Sequence, residues 1–103
     1  MLEKIKRSTD FINKRFQFNP IAGIITGSGT GDLILGMEVL HICAYEEIPG
    51  FPESTVEGHE GKMVFGVMNS KNIIVFQGRF HYYEGYSMDQ VTFPVRVLKH
   101  LGV

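Results

Sequence analysis

A short apolar strand that runs directly into a glycine-rich loop constrains the fold of this chain more than any other feature. The apolar run from Ile21 to Thr26 has the length of a strand. It follows Asn19-Pro20, where a helix ends because the residue before proline avoids the helical region. We predict a strand with both faces buried. The next residues, Gly27-Ser28-Gly29-Thr30-Gly31-Asp32, contain too much glycine to continue the strand and suit a tight loop.

An amphipathic helix is predicted before this strand. Its apolar residues recur at steps of three and four, as on one face of a helix, while charged residues occupy most of the other positions. The residues of the apolar face are Leu2, Ile5, Thr9, Ile12 and Phe16.

Three further strands are predicted after the glycine-rich loop. The first covers Val39 to Tyr45, and a stiff, proline-containing connection from Ile48 to Pro52 follows it. Lys62 to Met68 and Ile73 to Gln77 are rich in β-branched and aromatic residues, and the polar segment Asn69 to Asn72 between them favours a turn. These two strands are therefore predicted to form a hairpin.

A last helix is predicted near the end of the sequence. Ser87 and Gln90 form a capping box at its start, and the helix runs to Gly102, with Pro94 expected to bend it. Its apolar face carries Val91, Val95 and Leu98.

The order of these elements predicts an α/β fold in a single domain, residues 1–103, without internal repeats. A composition of 44% apolar and 20% charged residues is that of an ordinary soluble globular protein. The sequence stops at Leu101-Gly102-Val103, where an α/β protein normally begins its next strand. We therefore expect the domain to be incomplete.

Charge and cysteine content exclude several partners. Ten Lys and Arg face eleven Asp and Glu, so the net charge gives no reason to expect nucleic acid or an acidic membrane as a partner. The single Cys43 cannot form an internal disulfide, and the first residues lack the apolar core of a signal peptide. No apolar run approaches the roughly 18 residues that cross a bilayer. We expect a cytoplasmic protein without membrane contact.

The glycine-rich loop is the first candidate for ligand binding. Backbone N–H groups and the Ser28 hydroxyl can converge on a phosphate oxygen at such a position, while a tight turn without a ligand explains the glycines equally well. A dinucleotide-binding fingerprint would need glycine where Asp32 stands, and no lysine follows to complete an ATP-binding loop.

A second candidate lies after the predicted hairpin. Arg79 and His81 project to the same side if the alternation of a strand persists there, and a guanidinium with an imidazole suits a tetrahedral oxyanion. The alternative is a surface arginine paired with Glu84 and a histidine that caps a turn. Nearby Tyr82, Tyr83 and Tyr86 either form a sugar-stacking wall or cover the sheet edge.

The remaining histidines do not predict a metal site. His59 lies in the predicted loop from Glu53 to Gly61, where no helix or strand requires it. The histidines and Cys43 keep no metal-ligand spacing, and the residues after His59 lack the second histidine of the zinc-protease pattern.

Together, four sequence blocks resemble the trimeric class of purine nucleoside phosphorylases, over about Ile21 to Val103. Their order and spacing make the resemblance specific, and the glycine loop with the arginine block favours this class over the related methylthioadenosine phosphorylases. The blocks are Ile24-Ile25-Thr26-Gly27-Ser28-Gly29, Glu47-Ile48-Pro49-Gly50-Phe51-Pro52 continuing through Ser54-Thr55-Val56-Glu57-Gly58-His59, Gln77-Gly78-Arg79-Phe80-His81-Tyr82-Tyr83-Glu84-Gly85-Tyr86, and Thr92-Phe93-Pro94-Val95-Arg96.

The resemblance implies the N-terminal part of a mixed-sheet nucleoside phosphorylase fold flanked by helices. The implied reaction is a pentosyl transfer in purine salvage, in which phosphate replaces the base of a purine ribonucleoside to give free purine and ribose 1-phosphate. Ser28, His59, Arg79 and His81 would bind phosphate, with His81 assigned to catalysis, and Tyr83 would face the ribose.

The resemblance also implies a homo-trimer and inorganic phosphate as co-substrate, with no metal and no organic cofactor. The family's purine-binding residues lie beyond Val103, so this chain alone is expected to be inactive. The alternative is a non-catalytic phosphate- or nucleotide-binding module, or an assembly partner, derived from the same family.

Overall fold

Three helices and four strands make up the part of the chain that the computed structural model describes, residues 2–16, 19–26, 36–52, 61–78 and 85–103. The helices are α1 (Leu2–Arg15), α2 (Met88–Val91) and α3 (Phe93–His100), and Tyr45–Glu47 forms a 3₁₀ turn. The strands are β1 (Ala22–Thr26), β2 (Glu38–Ala44), β3 (Lys62–Met68) and β4 (Lys71–Gln77).

The four strands form one mixed sheet in the order β1-β4-β3-β2. β1 runs parallel to β4, while β3 is antiparallel to both β4 and β2. Two parallel strands need a long crossover connection between them. Here the connection from β1 to β4 contains β2 and β3, which pair antiparallel with each other. The predicted α/β fold with a mixed sheet flanked by helices is confirmed.

The turn between β3 and β4 is shorter than predicted. Lys71 already pairs with Met68, so only Asn69 and Ser70 remain in the turn. Both have positive φ angles, 51° and 64°, as in the two-residue turns whose twist matches that of the flanking strands. The predicted four-residue turn is wrong because this tight turn lets Lys71 and Asn72 join the ladder.

The prediction that the first strand is buried on both faces is also wrong. Ile21 lies outside β1 and is 60% exposed, Ala22 to Ile25 are half-buried, and Thr26 alone is fully buried. Among the described strands β1 pairs only with β4, so it lies at an edge of the sheet. An apolar run of this length does not distinguish an edge strand from a central one.

The first helix confirms its predicted position and most of its predicted buried face, since Ile5, Thr9, Ile12 and Phe16 are buried. Leu2 is 54% exposed at the start of α1, whereas Ser8 is fully buried. The Ser8 hydroxyl donates a 2.8 Å hydrogen bond to the carbonyl oxygen of Pro49 and thereby ties α1 to the proline-containing connection. The amphipathic pattern therefore predicted the helix correctly, but it did not predict that Leu2 is exposed and that Ser8 is buried.

The last helix is interrupted. The Ser87 capping box forms as predicted, but α2 ends at Val91 and α3 begins at Phe93, one residue before Pro94. Val95, which was predicted on the apolar face, is 57% exposed, so that part of the prediction is wrong. The buried residues of α3 are Phe93, Pro94, Val97 and Leu98.

Side chains on both faces of the central strands are buried. On one face, β2, β3 and β4 contribute to a cluster with the helices, and α1 packs against α3. A smaller cluster on the other face contains Met37, Val64, Ile73 and Val75. The central strands β3 and β4 are therefore the most buried strands of the described fold.

No helix in the described ranges has the length and apolar character needed to cross a membrane.

Candidate functional site

The five predicted site residues, Ser28, His59, Arg79, His81 and Tyr83, lie outside the described residues. The structure does describe the places where their segments join the sheet. These places form one region, which we call the carboxyl edge and define by Thr26, Gly61, Gln77 and Gly78.

The ends of β1 and β4 form the centre of the carboxyl edge. Thr26 and Gln77 are paired in the parallel register, and the amide of Gly78 donates a 2.8 Å hydrogen bond to the carbonyl oxygen of Thr26. In the sequence, Ser28 follows Thr26 by two positions and Arg79 follows Gly78 directly. The two segments predicted to bind phosphate therefore leave the sheet from adjacent strand ends.

The start of β3 lies at the same edge. Lys62 pairs with Gln77, which places Gly61 beside Gly78. A Cβ atom on Gly78 would be 3.1 Å from the Cα of Gly61, so the two backbones are in close contact. His59 precedes Gly61 by two positions. The third segment with a predicted phosphate ligand thus rejoins the sheet next to the other two.

A buried tyrosine joins two of these strand ends. The Tyr45 hydroxyl donates a 2.8 Å hydrogen bond to the carbonyl oxygen of Gly78, and the Tyr45 amide donates to the carbonyl oxygen of Gly61 at 3.1 Å. Burial raises the pKa of Tyr45 well above its usual range, so the hydroxyl stays protonated and able to donate. Sequence reasoning missed this residue, which was predicted only as the end of a strand.

Glycine is required at both positions that Tyr45 contacts. Gly78 has a φ angle of +115°, which residues with a side chain rarely adopt. At Gly61, a Cβ atom would overlap the ring of Tyr45. The glycines thus allow three backbone segments and an aromatic ring to meet within a small space.

The predicted absence of a metal site stays a prediction. Within the described part of the chain, no three His, Cys, Asp or Glu side chains gather to hold an ion. His41 packs against the ring of Phe16 with the centroids 4.8 Å apart, Cys43 is buried, and His100 contacts the carbonyl oxygen of Arg96. These three side chains therefore make separate contacts within the described part of the chain and do not form a cluster.

Comparison with known proteins gives consistent matches, although no protein-family model matches the chain. It is 50% identical to purine nucleoside phosphorylase 1 of Bacillus subtilis over 103 residues, 100% of this chain and 38% of that protein. The crystal structure of Schistosoma mansoni purine nucleoside phosphorylase with acetate matches with a TM-score of 0.89 and 44% identity, over 98% of this chain and 37% of that one. A purine nucleoside phosphorylase solved with ribose 1-phosphate matches with a TM-score of 0.83 and 45% identity, over 99% of this chain and 37% of that one.

The mixed sheet and its flanking helices therefore have the fold of the nucleoside phosphorylases. Sequence identity and fold agree over nearly the whole chain, which is related to the purine nucleoside phosphorylases and corresponds to an N-terminal portion of them. The chain spans little more than a third of the length of the relatives it matches. The family resemblance carried by the four sequence blocks is confirmed.

Proposed function

We propose that this chain supplies the phosphate-binding part of a purine nucleoside phosphorylase. In the proposed reaction, inorganic phosphate replaces the base of a purine ribonucleoside, and free purine and ribose 1-phosphate are released. The observation that carries the proposal is the convergence of three strand ends, at Thr26, Gly61 and Gly78, on one edge of the sheet.

Short covalent connections support a common phosphate site. Consecutive Cα atoms are about 3.8 Å apart, so Ser28 is tethered within about 8 Å of Thr26, and Arg79 within about 4 Å of Gly78. His59 is tethered to Gly61 by two residues and His81 to Gly78 by three. Because these anchor points are hydrogen-bonded or paired neighbours, the proposal assigns one anion to all four side chains.

The four side chains supply the chemistry that a phosphate dianion needs. The Arg79 guanidinium offers a forked pair of donors, the Ser28 hydroxyl a further donor, and the imidazoles of His59 and His81 their N–H groups. Such charge-assisted hydrogen bonds hold the anion in one orientation. Backbone N–H groups of the glycine-rich loop suit the remaining phosphate oxygens.

The bound phosphate would act as the nucleophile. As the glycosidic bond breaks, its electron pair leaves with the purine and the ribosyl carbon C1′ gains positive charge. A phosphate fixed beneath C1′ stabilises that charge and then forms the new C1′–O bond. His81 would contact the nucleophile and is the catalytic residue proposed in this chain, while Tyr83 would face the ribose.

The relatives support this reading. A similar structure is a purine nucleoside phosphorylase in complex with ribose 1-phosphate, the product that would carry the transferred phosphate. The curated relatives share the name of that enzyme, which does not favour the alternative of a non-catalytic module. A homo-trimer, a cytoplasmic location, a role in purine salvage and independence of metal or organic cofactors belong to the same proposal through the family resemblance.

A phosphate titration of the chain followed by nuclear magnetic resonance tests the proposal. The amide signals of Thr26, Gly61 and Gly78 should shift together as phosphate binds. Arg79→Ala should weaken binding at least tenfold, whereas Arg96→Ala, on the exposed face of α3, should leave it unchanged. Shifts away from the carboxyl edge, or equal effects of the two substitutions, would contradict the proposed site.

A kinetic test needs a chain of the relatives' length, made by joining these residues to the remainder of the Bacillus subtilis enzyme. Arg79→Ala should then raise the KM for phosphate far more than the KM for inosine. An equal increase in both KM values would count against Arg79 as a phosphate ligand.

A further inference from the structure

We infer that Tyr45 is a positioning residue for the phosphate site, an inference that rests on the function proposed above. Tyr45 contacts the backbone at two of the three strand ends of the carboxyl edge, through its hydroxyl to Gly78 and its amide to Gly61. Through these two hydrogen bonds, one residue links the strand end that precedes Arg79 and His81 to the strand end that follows His59.

The hydrogen bond to Gly78 acts directly on the start of the arginine segment. The carbonyl oxygen of Gly78 belongs to the planar peptide group whose nitrogen is that of Arg79. Holding this oxygen at 2.8 Å from the Tyr45 hydroxyl fixes the rotation of the peptide plane. The direction in which the chain continues into Arg79 depends on that rotation.

The ring of Tyr45 holds the hydroxyl in place. Tyr45 is only 3% exposed, and its ring packs against Phe51 and Phe76 with centroids 4.6 Å and 6.0 Å away. Its edge fills the space that a side chain at Gly61 would occupy. The Tyr45 side chain therefore cannot move its hydroxyl oxygen away from Gly78 without disrupting the packing of the ring.

The buried hydroxyl remains a donor over the pH range in which a phosphate dianion is present. Burial favours the neutral phenol and raises its pKa. Inorganic phosphate becomes a dianion near neutral pH, well below the range in which a buried phenol loses its proton. The positioning contact is thus intact in the neutral pH range in which the proposed nucleophile is a dianion.

Tyr45→Phe removes the hydroxyl and keeps the ring, and Ser8→Ala is its matched control. Ser8 also donates from a buried hydroxyl to a distant backbone carbonyl at 2.8 Å, but from α1 to Pro49. In the 103-residue chain, Tyr45→Phe should weaken phosphate binding about fivefold, the effect of one net hydrogen bond. Ser8→Ala should lower the melting temperature about as much as Tyr45→Phe does, but it should leave phosphate binding unchanged.

The same pair of variants is measured in the version joined to the remainder of the Bacillus subtilis enzyme. Tyr45→Phe should raise the KM for phosphate about fivefold and change the KM for inosine less than twofold. If both variants weaken phosphate binding equally, or Tyr45→Phe changes only the melting temperature, Tyr45 is structural and the inference is wrong. If neither wild-type protein binds phosphate, the proposed function itself fails.

Discussion

The amide of Gly78 donates a hydrogen bond to the carbonyl oxygen of Thr26, 2.8 Å away. All of β2 and β3 separates these residues in the sequence, and the parallel pairing of β1 with β4 brings them together. Each is the last described residue before a segment that carries a predicted phosphate ligand. The topology of the sheet thus brings together the two strand ends from which the proposed site would be built.

Replacement of Gly78 by alanine should damage both stability and phosphate binding. The φ angle of +115° strains any residue with a side chain, and the new Cβ would approach the Cα of Gly61 to 3.1 Å. We expect a loss of about 2 kcal/mol in the free energy of unfolding, measured by urea denaturation. The loss of phosphate binding should exceed tenfold in the same protein.

Gly102→Ala is the control for this experiment. Gly102 also has a positive φ angle, +90°, but a Cβ atom there meets nothing within 4 Å. Its replacement should lower stability through backbone strain and leave phosphate binding unchanged. Gly78→Ala with full phosphate affinity would show that the site does not depend on the carboxyl edge.

Sequence patterns predicted the strands and the segments of the site, but not how the segments meet. The β-branched residues of β3 and β4 identified the hairpin, since such runs pack well in a sheet. The exposure of Ile21 depends on which strands lie beside β1, and this information is not local. Tyr45 was missed for the same reason, because its partner Gly78 is distant in the sequence and glycine at that position offers only a backbone oxygen.

The turn between β3 and β4 offers a simple gain in stability. Ser70 has a φ angle of 64°, and left-handed backbone costs a residue with a side chain roughly 1 kcal/mol or more. Ser70→Gly creates the Asn-Gly sequence preferred in two-residue hairpin turns. We expect it to stabilise the chain by about 0.5 to 1 kcal/mol, after the greater unfolded-state freedom of glycine is included.

Asn69→Gly is the comparison for that measurement. Asparagine tolerates the left-handed region better than serine does, so its replacement should gain less. The free energies of unfolding of the two variants are compared by urea denaturation. A loss of stability in Ser70→Gly would show that the turn does not have the conformation described here.

Stability should fall at alkaline pH because two buried groups resist losing their protons. Burial chiefly, and then the nearby Glu47 carboxylate, raises the pKa of Cys43 above 9.0, against a smaller opposite effect of Arg15. Burial likewise raises the pKa of Tyr45. The unfolded chain therefore loses these protons first, so the contribution of these two groups to the free energy of unfolding is constant below about pH 9 and falls as the pH rises further.

Single substitutions separate the two contributions. Cys43→Ala should abolish the part of the decline that begins near pH 9, and Tyr45→Phe the part that begins about one pH unit higher. Both are measured as the slope of unfolding free energy against pH, relative to each variant's own value at pH 7. A wild-type slope of zero up to pH 11 would contradict the burial of both groups.

The 103-residue chain alone should bind phosphate without releasing purine from inosine at a useful rate. Its predicted ligands would hold the proposed nucleophile and contact the ribose, which concerns one side of the breaking bond. A catalyst must favour the transition state at both ends of that bond, and the departing purine needs orientation and a proton or hydrogen bond. Help of this kind is typically worth about 10²- to 10⁴-fold in rate, and lost positioning adds to the deficit.

A phosphate-dependent assay for released hypoxanthine compares the chain with its version joined to the remainder of the Bacillus subtilis relative, of which it spans 38%. The longer protein should turn over inosine, and Arg79→Ala in it should abolish most of that activity at low phosphate. The short chain should show at least 10⁴-fold less activity at equal concentration, because orientation and acid assistance are lost together. Comparable rates in the two proteins would mean that residues within these 103 also bind the purine and assist its departure.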